Sequence, residues 1–144
     1  MKTLNHKALI LICIALFSCS MFFAQSNSFY TVTTWKINVP ENGSVSEFKA
    51  LFKEFQEKIT NANQYVVSEC VLQHLSGSDS RDLVIITEYE NWNHIDAAAT
   101  KQNQLMETAW KTTEARDTFF SKFNKYFLMH TDEMYTGLKE LNKK

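Results

Sequence analysis

Residues 29–39 (FYTVTTWKINV) are dominated by β-branched and aromatic side chains, and Pro40, Glu41, Asn42 and Gly43 follow with turn chemistry. This pattern predicts a first strand. Ser44 and Glu47 have the spacing of a capping box, and Phe48, Leu51, Phe52, Phe55 and Ile59 then recur at helical intervals, ending near residues 61–63. Residues 65–75 (YVVSECVLQHL) and 82–90 (DLVIITEYE) read as two further strands. The short loop SGSDS between them implies a hairpin. From Asn91 the period is helical again: Ile95, Ala98, Ala99, Leu105, Met106, Ala109 and Trp110 share a broad face, with Asn91 or Asn93 as the cap. Thr112 and Thr113 interrupt this stripe, and Phe119, Phe120 and Phe123 resume it as far as Lys125. Residues 126–135 (YFLMHTDEMY) suit a last strand better than more helix, because a fourth strand completes the sheet, and Gly137 ends the element.

The order β-α-β-β-α-β predicts an α+β fold of the ferredoxin-like, split βαβ kind: a four-stranded antiparallel sheet with its helices on one face. Both faces of the predicted strands nevertheless carry apolar residues. Phe29, Trp35, Ile37 and Val39 alternate with Tyr30 and Val32; Tyr65, Val67, Val71 and Leu75 with Val66, Cys70 and Leu72; Leu83, Ile85 and Tyr89 with Val84 and Ile86. The face without helices needs cover, and a second copy of the same sheet is the economical supply. The expected assembly is a homodimer with the edge histidines His74 and His130 near the seam.

The start of the chain changes the picture of its compartment. Lys2 and Lys7 precede an unbroken apolar run at residues 8–17, which suits a secretory signal and is too short to span a membrane. Two processing routes fit. Cleavage after Ala24 makes residues 1–24 a signal peptide and residues 25–144 a single domain; lipidation at Cys19, in the lipobox-like sequence Leu16-Phe17-Ser18-Cys19, makes an anchored lipoprotein instead. The first is preferred, because Met21, Phe22 and Phe23 are unusual in a lipoprotein tether. The expected location is therefore periplasmic or extracellular. Loss of residues 1–24 removes two of fifteen basic and none of sixteen acidic side chains, so 120 residues with a net charge of −3 remain. That mild acidity, with no basic run, argues against nucleic acid as a partner and against a membrane surface unless Cys19 is acylated. Cys70 would be the one remaining cysteine, so stability must come from a core, with Cys70 read as a buried structural thiol.

The element order, the Trp-bearing first strand, LVIITEYENW in the third and the closing YFLMHTDEMY resemble the dimeric α+β barrel superfamily over residues 29–135. That group includes antibiotic-biosynthesis-type monooxygenases, NIPSNAP-like proteins and stress-responsive barrel proteins. The resemblance implies paired sheets enclosing a cleft for an apolar ligand. Its members range from cofactor-free oxygenases to proteins of no known activity. The haem-degrading branch pairs a Trp with a following His at a characteristic spacing; Trp35, Trp92 and Trp110 lack one, so that activity is not carried over.

Candidate chemistry is sparse. His130 and Asp132 repeat on one side of a strand and form the best acid/base pair, although Asp and His near a strand end also serve solubility alone. Trp35 and Tyr89 are candidate ligand contacts on cleft-facing strands, set against plain core packing, with His74 and Trp92 completing the candidate set. His74 and His130 would need to converge across a dimer to share a metal or a proton, and two half-exposed strand histidines is the simpler reading. His94 sits at a helix start, where capping suffices. Gly43, Gly77 and Gly137 are scattered in turns, so no nucleotide-cofactor loop is present, and no Cys/His cluster has zinc spacing; no cofactor and no metal are expected. Three functions remain: a non-enzymatic binder of a small apolar molecule, a cofactor-independent monooxygenase-like enzyme on activated aromatic substrates with His130 and Asp132 as base, and a structural dimer with a filled interior.

Overall fold

A computed structural model describes residues 27–141; the expected signal peptide, its Ala24 boundary and Cys19 lie outside that range. The described elements follow the order β1 (Phe29–Ile37), α1 (Val45–Phe55) with a π-helical turn (Gln56–Thr60), β2 (Ser68–Gln73), β3 (Asp82–Tyr89), α2 (Asn93–Thr108), α3 (Thr113–Asn124), β4 (Phe127–Thr136) and a 3-10 turn (Lys139–Leu141). The four strands form one antiparallel sheet in the order β2-β3-β1-β4, the ferredoxin-like arrangement expected from the element order. The expected second helix is two: Thr112 accepts the amide of Ala115 and starts α3 afresh. At the start of α2 the Asn91 side chain takes the amide of His94 at 3.2 Å.

Register fixes which residues lie under the helices. Trp35 stands opposite Leu83 on one side and His130 on the other, Thr33 opposite Ile85 and Asp132, and Thr31 opposite Thr87 and Met134. Across the β2–β3 pair, Val71 faces Ile85 and Glu69 faces Thr87. One irregularity matters. Ile37 pairs with Phe127 but Lys36 pairs with Met129, so Leu128 is an extra residue in β4. The bulge re-phases the strand, and Phe127 and His130 therefore both contact Trp35, with ring centroids at 4.9 and 4.1 Å.

The core sits between the helices and the end of the sheet near Leu83. Phe48, Leu83, Phe119, Phe123 and Tyr126 are buried, with Trp35, Ile37, Phe52, Phe55 and Phe127 packed around them. Phe123 is the hub of this aromatic cluster: its ring lies 5.4 Å from Phe55, 5.4 Å from Phe119 and 4.8 Å from Phe127. Offset and edge-on ring pairs at such distances add to simple burial.

The expected capping box forms with a third partner. Ser44 Oγ accepts the amide of Glu47 at 3.0 Å, as predicted. Glu47 does not reach back to the Ser44 amide; that N–H donates to the Tyr126 hydroxyl at 3.0 Å, and the hydroxyl donates to Glu47. Tyr126 is only 1% exposed, so α1 is tied to the start of β4 inside the protein. Gly43 completes the fit, because a Cβ there would lie 2.6 Å from the Tyr126 oxygen.

Two outcomes follow from this lock. Ser44→Ala should cost about 1 kcal/mol in denaturant unfolding by removing the cap acceptor, and Tyr126→Phe should cost about 1 kcal/mol by removing the hydroxyl that links the Ser44 amide to Glu47. The bonds from Tyr126 and Lys125 hold the Glu47 carboxyl below its ordinary value of 4.5. Its contribution is present above that value and is lost as pH falls through the depressed one, so Tyr126→Phe should flatten the acid limb of a stability–pH curve.

Candidate functional site

Beyond the aromatic core, the sheet and helices separate into an open cleft of about 630 Å³ within a single chain. Its floor is the helix-facing side of β1, β3 and the ends of β2 and β4; its roof is Phe52, Phe55, Met106, Phe120 and Phe123 from the helices. The cleft exists because the floor changes character along the strands. Trp35, Ile37 and Leu83 fill the space at one end, whereas Thr31, Thr33 and Thr87 occupy equivalent inward positions further along. Threonines are too short and too polar to close on a phenylalanine roof.

One end of the cleft holds His130, Asp132, Thr33 and Trp35. His130 Nε2 lies 3.0 Å from Asp132 Oδ2, and Thr33 Oγ1 donates to Asp132 Oδ1 at 2.7 Å. The imidazole leans on the Trp35 indole, 38° from parallel. This constellation can relay a proton or orient a ligand acceptor, but the His130 and Asp132 side chains are 42% and 55% exposed, so neither is withdrawn from water. The pair predicted from the strand period is therefore real in space, without the desolvation that would sharpen a catalytic base.

The other end is built around Glu69. Gln56 Nε2 and Thr60 Oγ1 donate to its Oε1 at 3.4 Å each, and Thr87 Oγ1 to its Oε2 at 3.3 Å. Gln56 and Thr60 come from the π-helical turn, in which the amide of Asn61 reaches back five residues to the Gln56 carbonyl. Such widened turns recur at functional sites. Tyr89 and Thr31 share a hydrogen bond at 3.3 Å in the same region, beside Gln102 from α2. No Lys or Arg lines the cleft, and no group of three or more His, Cys, Asp or Glu among the described residues is arranged to hold a metal ion.

The structure brings four of the six predicted contact residues together: Trp35, Tyr89, His130 and Asp132 all line the cleft. His74 and Trp92 stand apart. His74 follows β2 at the hairpin, where its ring approaches Gly77, whose φ of 140° only glycine adopts readily. Trp92 is 55% exposed and meets Phe29 edge-on. His130 points under the helices and lines the cleft, whereas His74 stands at the hairpin, so the two do not share a site within one chain. The cleft is correspondingly roofed by this chain's own helices, whereas the resemblance implied paired sheets around it. Cys70, read as a buried thiol, is exposed on the helix-free face, since its partner Ile86 also lies on that face. His94 packs against Tyr65.

Glu69, Thr31, Thr33, Thr60, Thr87 and Gln102 were not anticipated. A signal existed: Thr31 and Thr33 interrupt the apolar set Phe29, Trp35 and Ile37, and Thr87 interrupts Ile85 and Tyr89. Polar residues at inward positions mark a place where packing is deliberately left open.

The ring contact at His130 has an optical consequence. His130→Ala should raise tryptophan emission by removing the neighbour stacked on Trp35, whereas His74→Ala should leave the spectrum unchanged; equal spectra for both would contradict the geometry.

No family model matches the chain, and no curated protein matches it in sequence. Solved structures do share its fold. A NIPSNAP family protein of unknown function from Agrobacterium tumefaciens aligns over 78% of this chain and 90% of its own, with 15% identity and a TM-score of 0.55. SnoaB, a cofactor-independent oxygenase from Streptomyces nogalater, aligns over 82% and 100%, with 10% identity and a TM-score of 0.50. A dimeric ferredoxin-like protein of unknown function from Thermobifida fusca aligns over 81% and 96%, with 7% identity and a TM-score of 0.50. The chain thus has the ferredoxin-like fold common to NIPSNAP-family and cofactor-independent oxygenase structures.

Proposed function

We propose that this chain is an exported, homodimeric barrel protein that binds a flat, largely apolar small molecule in the cleft beneath its helices. One observation carries the reading: an open space of about 630 Å³ is walled by aromatic rings and has polar groups at both ends. Small-molecule sites of roughly 300–1,000 Å³ have this make-up.

A second reading is favoured by the His130–Asp132 pair with its Thr33 support: a cofactor-independent monooxygenase-like enzyme on an activated aromatic substrate, with the pair as base; SnoaB, which shares the fold, is a cofactor-independent oxygenase. The exposure of both side chains ranks it below binding.

Self-association rests on the helix-free face. Val32, Leu72, Val84, Ile86, Met129 and Tyr135 lie there by register, and Leu72, Met129 and Tyr135 are 47%, 64% and 49% exposed. At about 25 cal/mol per Å², covering an interface of about 1,500 Å² competes with the cost of association. The described dimeric state of the Thermobifida fusca neighbour agrees with this. Export follows from the apolar run at residues 8–17.

Binding is tested with N-phenyl-1-naphthylamine, a neutral apolar fluorophore. It should bind the purified protein, with Trp35→Ala weakening affinity about tenfold and Trp92→Ala having no effect. Equal loss in both variants would remove the cleft as the site. In sedimentation the unmodified protein should run as a dimer. Val84→Lys should give a folded monomer, whereas Ile85→Lys, which points into the cleft, should lower thermal stability. A soluble monomer at micromolar concentration of the unmodified chain would exclude the paired barrel. Mass analysis of the exported protein should find Gln25 at the N-terminus, and an acylated Cys19 would replace cleavage with anchoring.

A further inference from the structure

The charge of the cleft is one-sided. Among the described residues, its lining includes the carboxylates of Glu69 and Asp132 and no Lys or Arg. The two carboxylates differ in what they already hold. Asp132 is engaged by the His130 imidazole at 3.0 Å and by the Thr33 hydroxyl at 2.7 Å. Glu69 has only neutral donors, all at 3.3–3.4 Å, and it takes part in none of the ion pairs formed among the described residues. Long neutral hydrogen bonds leave a carboxylate with unspent acceptor capacity, which a charged donor satisfies best. The aromatic walls point the same way. Phe52, Phe55 and Tyr89 line the cleft together with Glu69, and aromatic rings are favourable neighbours for a cation that sits over their faces. An anionic ligand meets two carboxylates and, among the described residues that line the cleft, no Lys or Arg; the one imidazole, His130, is already engaged by Asp132.

We propose that the cleft selects a cationic aromatic ligand, a flat ring system carrying a protonated amine, with the ammonium seated at Glu69 and the rings lying over Ile85 towards Trp35. This rests on the cleft-binding reading above and adds the chemical class of the ligand. The dimensions suit it. Glu69 on β2 and Asp132 on β4 are three strand spacings apart across the sheet, about 14 Å, and two residues apart along it, which accommodates two or three fused rings with a short amine arm. The His130 end then lies against the far edge of the ring system, where its imidazole meets a hydroxyl or carbonyl.

A matched set of probes on one ring system separates charge from shape: 2-naphthylmethylamine, 2-naphthylmethanol and 2-naphthoate, titrated calorimetrically at pH 7 against the full mature protein. The amine should bind at least about tenfold more tightly than the alcohol, and the carboxylate least of all. Added salt should narrow the gap between amine and alcohol. Glu69→Gln should bring amine affinity down to that of the alcohol while leaving the alcohol unchanged, and Glu69→Asp should retain part of the preference. An alcohol that binds as tightly as the amine overturns the charge preference and leaves the cleft-binding reading standing. A gap that survives Glu69→Gln, in a variant with an unchanged unfolding midpoint, overturns Glu69 as the seat. Failure of all three probes to bind overturns both readings together. Because the probe series is read first on the unmodified protein, a poorly folding variant does not blunt the test.

Discussion

Strand β1 is hydrogen-bonded along both of its edges, to β3 and to β4, so a two-residue period in one short segment dictates what faces the helices across three strands. Trp35 is locked between Leu83 and His130, Thr33 between Ile85 and Asp132, Thr31 between Thr87 and Met134. A slip of one residue would turn every one of these side chains to the other face. The aromatic core depends on this register for its floor, and the cleft depends on it for its polar residues. Core and cleft are therefore one construction, differing only in whether the inward rung carries a large apolar side chain or a threonine.

The helices contribute a roof anchored at one end. Phe123 gathers Phe55, Phe119 and Phe127, and Tyr126 ties the cap of α1 to the start of β4. Trp110 adds a hydrogen bond from its indole to Glu54 at 3.1 Å and fastens the α2–α3 junction to α1. Over the threonine rungs the phenylalanine roof meets only short side chains on the sheet, and the space between them stays open. Two local irregularities work the same ground from opposite sides. The bulge at Leu128 turns His130 inward, and the π-helical turn supplies Gln56 and Thr60 to Glu69. Both depart from regular geometry where the protein presents polar atoms to the cleft.

The cleft's electrostatics follow from the same economy. Its carboxylates meet only hydroxyl, amide and imidazole groups, whereas the Lys and Arg ion pairs among the described residues lie elsewhere, as in the Lys36–Asp79 and Lys125–Glu47 contacts.

The sequence by itself determined the element order, the antiparallel four-stranded sheet, the break at Thr112 and the grouping of Phe29, Trp35 and Ile37, and of Leu83, Ile85 and Tyr89, on common strand faces, though not which face lies under the helices, because periodicity and capping act over a few residues and leave a local record. It also paired His130 with Asp132, since residues two apart on a strand share a face. It did not show that Tyr126 completes the cap of α1, that the bulge re-phases β4, that Glu69 closes the far end of the cleft, or that Cys70 and Trp92 face outward. Each of these is a relation between residues distant in the chain or a one-residue irregularity in hydrogen bonding. Composition and spacing average over such events. Only the packed tertiary structure decides them, because the energy that selects them arises when separated segments meet and their polar groups must find partners.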